Sequence, residues 1–480
     1  MAQELVKGNI RRGLVRLALP VIGAMLAGAL LNLVDALWIS HAGVIYLAVV
    51  NISSFAYWVL FAVAGIIATG ANSLIAHRLG ESVHDPQAAQ KAVHVAQISL
   101  ILAALLGIVQ LGLVYRSGYG VMAFMGGGSE EMLPIAQMAY AYLGIVALMA
   151  PLICINEVFS AVFRAYGDTR TPMIVGLIGF IFNLVLDPIL IFGWCGFPRL
   201  DALGAAIATA SSFVVVFAIY LYLVHWHVGS VFHLPRLYPP LQAWQATGRI
   251  LAVGLPVSVA SMIFSIVYIL VTPYVSHFGP AAVAALGIGH RLEGFTYTVC
   301  QGIALATITM VGQNLGAGYI ERAKEAAWTA IRWAFYVNLT VGLAFLLIPD
   351  FLVGFFGEDS ELRALAVSYL RIISISQVFA GVSIAVEGIF SGGGHTLPPM
   401  LINIPISLAR IPICHYFVVL VGAGVDYVWW IFSLLTILRG ILIFYIFLMG
   451  WWLVDHEIAD SQRAKRRFWN WRPSRRSSEA

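Results

Sequence analysis

The chain has 480 residues, 60% of them hydrophobic and 10% charged, with a formal net charge of +4. Soluble domains carry about 25% charged residues, so the composition excludes an ordinary soluble domain and indicates a polytopic membrane protein. Four cysteines (Cys154, Cys195, Cys300 and Cys414) lie scattered, without CxxC or histidine-rich neighbours. They form neither a disulfide framework nor a zinc site, and read as small apolar residues.

Lys7, Arg11, Arg12 and Arg16 precede the first apolar run. That run is too long for a signal-peptide core and has no small-residue cleavage site, so it is a retained span. Pro20 stands near its beginning, and Asp35 is its single charge between Leu17 and Ser40. Hydropathy divides the chain into twelve segments: 14–40, 44–76, 92–115, 133–163, 172–193, 202–224, 247–276, 281–312, 326–348, 363–390, 397–420 and 427–454. Each is at least as long as the ~20 residues a helix needs to cross a bilayer. They are too continuous for barrel strands, and the longest call for tilt or kinks. The expected fold is an all-α membrane protein.

Lysine and arginine set the orientation. One side collects the N-terminus, loops 2–3, 4–5, 6–7 and 8–9, and a tail with Arg463, Lys465, Arg466, Arg467, Arg472, Arg475 and Arg476. The other side has Arg116, Arg199 and Arg363, together with Glu130, Glu131, Glu358, Asp359 and Glu361. Both termini are therefore expected on the cytoplasmic side, with the tail near anionic lipid rather than nucleic acid.

The chain repeats itself. Leu19-Pro20-Val21 recurs as Leu255-Pro256-Val257, an offset of 236 that also aligns Gly43 with Gly279 and Leu79-Gly80 with Leu315-Gly316. An offset of 227 aligns Phe163, Gly167, Thr169 and Pro172-Met173 with Phe390, Gly394, Thr396 and Pro399-Met400. Spans 1–6 (residues 1–224) and 7–12 (residues 249–454) are thus two copies of one unit, with 225–248 as linker and 455–480 as tail. Six is even, so both copies enter from the same side, giving two pseudo-symmetric six-helix lobes.

Charges inside the spans carry the functional reading, because they are expensive there. Asp35 lies in span 1, and Asn183 and Asp187 lie four residues apart on one face of span 5. Pro188 cannot donate to the carbonyl of Leu184, which is left free. Two carboxylates, an amide oxygen and a free carbonyl form an all-oxygen set for a hard cation or a proton relay. The bland alternative is hydrogen bonding between helices. Burial and a second carboxylate both disfavour ionisation, so a group of this kind can take up and release a proton.

The second lobe lacks this set: Asp35 maps to Val271, Asn183 to Arg410 and Asp187 to Cys414. It holds Arg291, Glu293, Arg371, Glu387, Arg410 and Arg439 instead, read either as a paired packing network or as groups facing a substrate cavity. Glu157 in span 4 either snorkels or pairs with Arg164. Pro20 and Pro256 are first-turn prolines or hinges. Met25, Met149, Met262, Phe264, Tyr268 and Phe295 either line a cavity or pack in core and lipid. No GxxxxGK[ST], HExxH or GxSxG is present, and Gly126 to Gly128 and Gly392 to Gly394 follow no strand, so neither nucleotide-driven pumping nor hydrolysis has apparatus.

The blocks LALPVIGAMLAGALLNLVDALWISHAG, GANSLIAHRLGE, FRAYGDTRTPM, FNLVLDPILIFG and MVGQNLGAG resemble the multidrug and toxic compound extrusion family over nearly the whole chain. The resemblance implies twelve helices in two bundles. It also implies export of drug-like organic cations and other amphipathic compounds in exchange for H⁺ or Na⁺, with no other cofactor. It carries a cation site onto Asp35, Asn183, Asp187 and Thr209, where Na⁺ would be held by the first three, and it makes the Pro20 helix a hinge. Span 7 has no acid, which speaks against a second-lobe Na⁺ site. The expectation is a monomeric antiporter of the cytoplasmic (inner) membrane that works by alternating access. Its rivals are a flippase of lipid-linked saccharides and, in another class, an intramembrane enzyme.

Overall fold

The computed structural model describes residues 2–42, 44–125, 133–227, 240–356 and 360–453. The basic tail, the acids Glu130, Glu131, Glu358 and Asp359, and the glycines 126–128 lie outside the described residues. Among the described residues all regular structure is helical. The first half comprises α1 (Ala2–Lys7), α2 (Ile10–Ala42), α3 (Val44–Glu81), α4 (Pro86–Met125), α5 (Leu133–Ala147), α6 (Ala150–Ala165), α7 (Arg170–Phe192) and α8 (Asp201–His227). The second comprises α9 (Pro240–Ser276), α10 (Pro280–Gly316), α11 (Ile320–Leu347), α12 (Pro349–Val353), α13 (Ser360–Ser374), α14 (Gln377–Gly393), α15 (Leu397–His415) and α16 (Val425–Leu448).

Among the described residues eleven spans are long and apolar enough to cross a bilayer, and α5 with α6, bent by 49°, makes a twelfth if the pair is one span. Each falls on a segment expected from hydropathy, with α13 and α14 together forming the tenth. Helix takes in both ends of the expected linker, since α8 reaches His227 and α9 begins at Pro240. The lobes meet mainly along α3 with α9 and α10, and along α2 with α10.

The repeat is visible in individual hydrogen bonds. Gly167 (φ 86°) and Gly394 (φ 80°) each end a helix in the left-handed region that favours glycine. The backbone N–H of Asp168 donates to Phe163 O at 3.0 Å, and its twin His395 donates to Phe390 O at 2.9 Å. The next residue is a threonine in both lobes. Thr169 Oγ1 donates to Arg16 O at 3.3 Å. Thr396 Oγ1 is shared between Val253 O at 2.6 Å and Ala252 O at 3.3 Å.

Arg16 and Ala252 stand four residues before Pro20 and Pro256, so theirs are the carbonyls that the prolines leave without a helical donor. Both prolines lie well inside their helices, α2 and α9, which overturns the first-turn reading. Each lobe therefore carries a mid-helix proline whose orphaned carbonyl takes a hydroxyl from the fifth span of the same lobe.

The lobes close on each other at the end that carries the N-terminus. A Cβ on Gly80 would sit 2.1 Å from Gln313 O, and one on Gly316 2.1 Å from His77 O, so α3 and α10 touch backbone to backbone. His77 Nε2 hydrogen-bonds to Gly392 O at 2.7 Å, and its twin Gln313 Nε2 donates to Ala165 O at 2.7 Å. Thr309 Oγ1 adds a bond to Arg164 O at 3.1 Å, and Arg322 Nη2 one to Gly8 O at 2.7 Å.

Thr169→Val keeps the shape but removes the donor to the Arg16 carbonyl, leaving it unsatisfied at about 1–3 kcal/mol. The expected outcome is a lower thermal midpoint in detergent that Thr169→Ser restores; equal midpoints for the valine and serine variants would sink the assignment.

Candidate functional site

Asp187 and Asn183 lie on the buried face of α7, 1% and 8% exposed, while Asp35 on α2 is half-buried. The Asp35 and Asp187 carboxyl groups lie within hydrogen-bonding reach of each other. An oxygen-to-oxygen hydrogen bond between two carboxyl groups needs a proton on one of them. The amide of Asn183 fits best with its nitrogen donating to Asp35 Oδ2 (3.2 Å) and its oxygen accepting the backbone N–H of Thr209 (3.2 Å). Turned over, the nitrogen donates to Asp187 Oδ1 at 3.4 Å. Asp35 Oδ1 is buried without a hydrogen-bond partner, so the site has an acceptor left over.

Helix α8 supplies Thr209, and it comes this close because Gly204 lets α8 press on α7. A Cβ there would stand 2.5 Å from Leu190 O. The structure thus brings together all four residues of the expected coupling set. Two tyrosines complete the surroundings. Tyr142 on α5 lies within hydrogen-bonding reach of Thr209 and close enough to feel both aspartates, and Tyr57 on α3 feels Asp35 and Glu157. Neither tyrosine was legible in sequence, since a tyrosine in an apolar run carries no mark of the charge it faces.

The twin position in the second lobe is built differently. Val271 and Cys414, 1% and 0% exposed, sit in one apolar cluster where the first lobe has its aspartates. Arg410 replaces Asn183, and the offset of 227 maps Thr209 onto Thr436. The side-by-side contact survives with new chemistry, as Arg410 Nη2 donates to Thr436 Oγ1 at 3.0 Å. The guanidinium is 2% exposed and is faced by the rings of Phe264, Tyr268 and Phe432, with centroids 5.7, 5.6 and 5.3 Å away. Its Nε and Nη1 have no hydrogen-bond partner.

The expectation that arginines and glutamates pair directly here is corrected. Glu293 accepts hydrogen bonds from Tyr369 Oη at 2.8 Å and Gln377 Nε2 at 2.7 Å. Glu387 accepts one from Asn403 Nδ2 at 2.9 Å and feels Arg439 only electrostatically. Neutral donors thus satisfy both buried acids, and Arg410 and Arg439 act on them through space. Arg291 is exposed on α10, and Arg371 pairs with Asp350 at 3.6 Å near the helix end, so neither belongs to the cluster. In the first lobe Glu157 acts on Arg164 only electrostatically, while Arg164 donates to Ser160 Oγ. Of the apolar candidates, Phe264 and Tyr268 face Arg410, Met149 packs in a core cluster, and Phe295 is 49% exposed.

The MatE family model matches residues 20–189 and 256–416. The chain belongs to the MatE family. The two matched stretches begin at Pro20 and Pro256 and end at 189 and 416, reproducing both offsets of the internal repeat. A Thermotoga maritima protein named probable multidrug resistance protein NorM is 31% identical over 92% of this chain and 93% of its own length. A Shewanella oneidensis protein named FAD transporter is 27% identical over 83% of this chain and 86% of its own. A solved structure described as the outward-facing conformation of a multidrug resistance MATE family transporter superimposes with a TM-score of 0.83 at 25% identity, over 93% of this chain and 97% of its own.

Within this MatE chain the Glu293 cluster makes a direct prediction. Glu293→Ala strands the Tyr369 hydroxyl and the Gln377 amide and should cost about 3 kcal/mol or more, whereas Glu293→Gln keeps an oxygen for one of them and should cost less. Thermal unfolding of the two variants beside wild type checks the order.

Proposed function

We propose that the protein is a multidrug exporter that exchanges drug-like compounds for H⁺ by alternating access, with Asp35 and Asp187 as the coupling pair. The observation that carries the choice of H⁺ is the direct approach of the two carboxyl groups. A proton shared between them satisfies both groups without a further ligand. The four-residue set, the names of the relatives and the two-lobed repeat support the reading. In the cycle, protonation neutralises the pair and lets α2 settle against α7. Loss of the proton leaves like charges that drive α2 away and admit water and substrate.

Lysine and arginine placement supports cytoplasmic termini in the inner membrane. The lobes close on each other at the N-terminal end, in keeping with an outward-facing state like that of the relative. A single chain carries both lobes, and the protein works as a monomer.

The substrate's charge has a second reading. The Arg410 cage with its unpartnered nitrogens favours flat amphipathic anions at the second lobe, and the relative named FAD transporter is in keeping with it. Arginine in an aromatic box suits a planar anion, as bidentate donor and stacking surface together.

Purified protein in proteoliposomes tests the coupling, with a pH gradient and a Na⁺ gradient imposed separately on a fluorescent organic cation. The pH gradient should drive uptake, and Asp35→Asn and Asp187→Asn should each lower it at least ~10-fold with unchanged folding, because an amide cannot exchange a proton. Transport driven by Na⁺ at clamped pH would overturn H⁺ coupling; normal transport by either variant would remove the carboxyl pair from the mechanism.

A further inference from the structure

The N-terminal helix α1 belongs by sequence to the first lobe, yet it seats on the second. It packs against α10 as well as against α2 and α3. Leu5 and Val6 are 7% and 1% exposed, and Leu5 joins Met310 and Ala323 of the second lobe in one apolar cluster. The same side chain covers the turn between α6 and α7 of the first lobe, since a Cβ on Gly167 would stand 2.9 Å from Leu5 Cδ1. Leu5 is thus wedged in the seam where the lobes close.

The second lobe also holds the backbone of α1. Carbonyls at a helix C-terminus lack helical donors and carry partial negative charge. Arg322 on α11 supplies a donor there, as its Nη2 donates to Leu5 O at 3.3 Å and to Gly8 O at 2.7 Å. Its Nε donates to Asn314 Oδ1 at 3.1 Å, and Asn314 Nδ2 donates in turn to Met310 O at 2.8 Å, which ties the guanidinium to α10. Helix stops at Gly8 and Asn9, and Asn9 Oδ1 caps α2 afresh by accepting the N–H of Arg12 at 3.1 Å. The break gives α1 a joint of its own, so it can leave its seat without unwinding α2.

We propose that α1 is a latch on the closed N-terminal end, held across both lobes by Arg322 and by the Leu5 wedge, and that it biases the molecule towards the state closed at that end. For the lobes to part there, α1 must give up either Arg322 or its seat on the Gly167 turn. The latch rests on the alternating-access reading and is independent of the coupling ion and of the substrate.

The test uses the full chain in nanodiscs and double electron–electron resonance between spin labels at Gln87 and Leu397. These are exposed positions at the N-terminal ends of α4 in the first lobe and α15 in the second, and the exposed Cys195 is replaced by serine. Wild type should show a short distance and a long one, the long one belonging to the state open at that end. Arg322→Met, which keeps the stem without a donor, and Leu5→Ser should each raise the ratio of open to closed about fivefold, and Arg322→Lys should restore most of the closed population. Lys324→Met, two residues along α11 and bonded to Glu321 at 2.8 Å, should leave the distribution unchanged. Two distances in wild type with the same ratio in Arg322→Met, or an equal shift in Lys324→Met, would overturn the latch alone. One distance in wild type and in every variant would remove alternating access, and the latch with it.

Discussion

A carboxyl group inside a membrane persists only where its charge is taken up or cancelled, and Asp35 and Asp187 meet that constraint by facing each other. The rest of the first lobe is arranged to keep them face to face. Asn183 reaches one of the two acids, Thr209 steadies Asn183 through its backbone, and Tyr142 lies by Thr209. The arrangement needs α2 and α7 side by side. The hydroxyl of Thr169, at the foot of α7, meets the α2 carbonyl that Pro20 leaves without a partner. A proline in the middle of a helix would otherwise be a weak point. Here it exposes a carbonyl that holds two helices together.

The second lobe uses the same scaffold with the opposite sign. Valine and cysteine fill the positions of the two aspartates, so that position carries no carboxyl pair, and Arg410 bonds to Thr436 where Asn183 meets Thr209. Burying a guanidinium is tolerated because three rings and a hydroxyl surround it. Buried polar groups at helix–helix contacts are expensive enough to be kept for a reason, and the reasons differ between lobes.

Much of this was legible in the sequence. Spans longer than a bilayer is thick leave little choice of fold, and the two offsets announced the repeat. Asp35, Asn183 and Asp187 stood out because charged or amide groups are rare in such runs, and the structure gathers them with Thr209. Tyr57, Tyr142 and Tyr369 did not stand out, because aromatic residues are common in membrane spans and their partners are distant in the chain. Charge counting misled in the second lobe. Arg291 and Arg371 look identical to Arg410 in sequence, yet one is exposed, one pairs at a helix end and one is 2% exposed. Depth and facing, not residue type, separate them.

The features that repeat and those that do not fall into two physical classes. The repeated ones are glycine turns, prolines, threonine hydroxyls and the His77 and Gln313 bonds across the lobe interface, and nearly all end on a backbone carbonyl. A carbonyl is present at every position whatever the side chain, so such contacts survive extensive change in the residues around them. The lobe interiors rely on side chains meeting side chains, and a single replacement on either partner ends the contact. The contacts that end on backbone can therefore stay twinned while the two interiors differ, one setting two carboxyl groups side by side and the other holding a buried cation among rings.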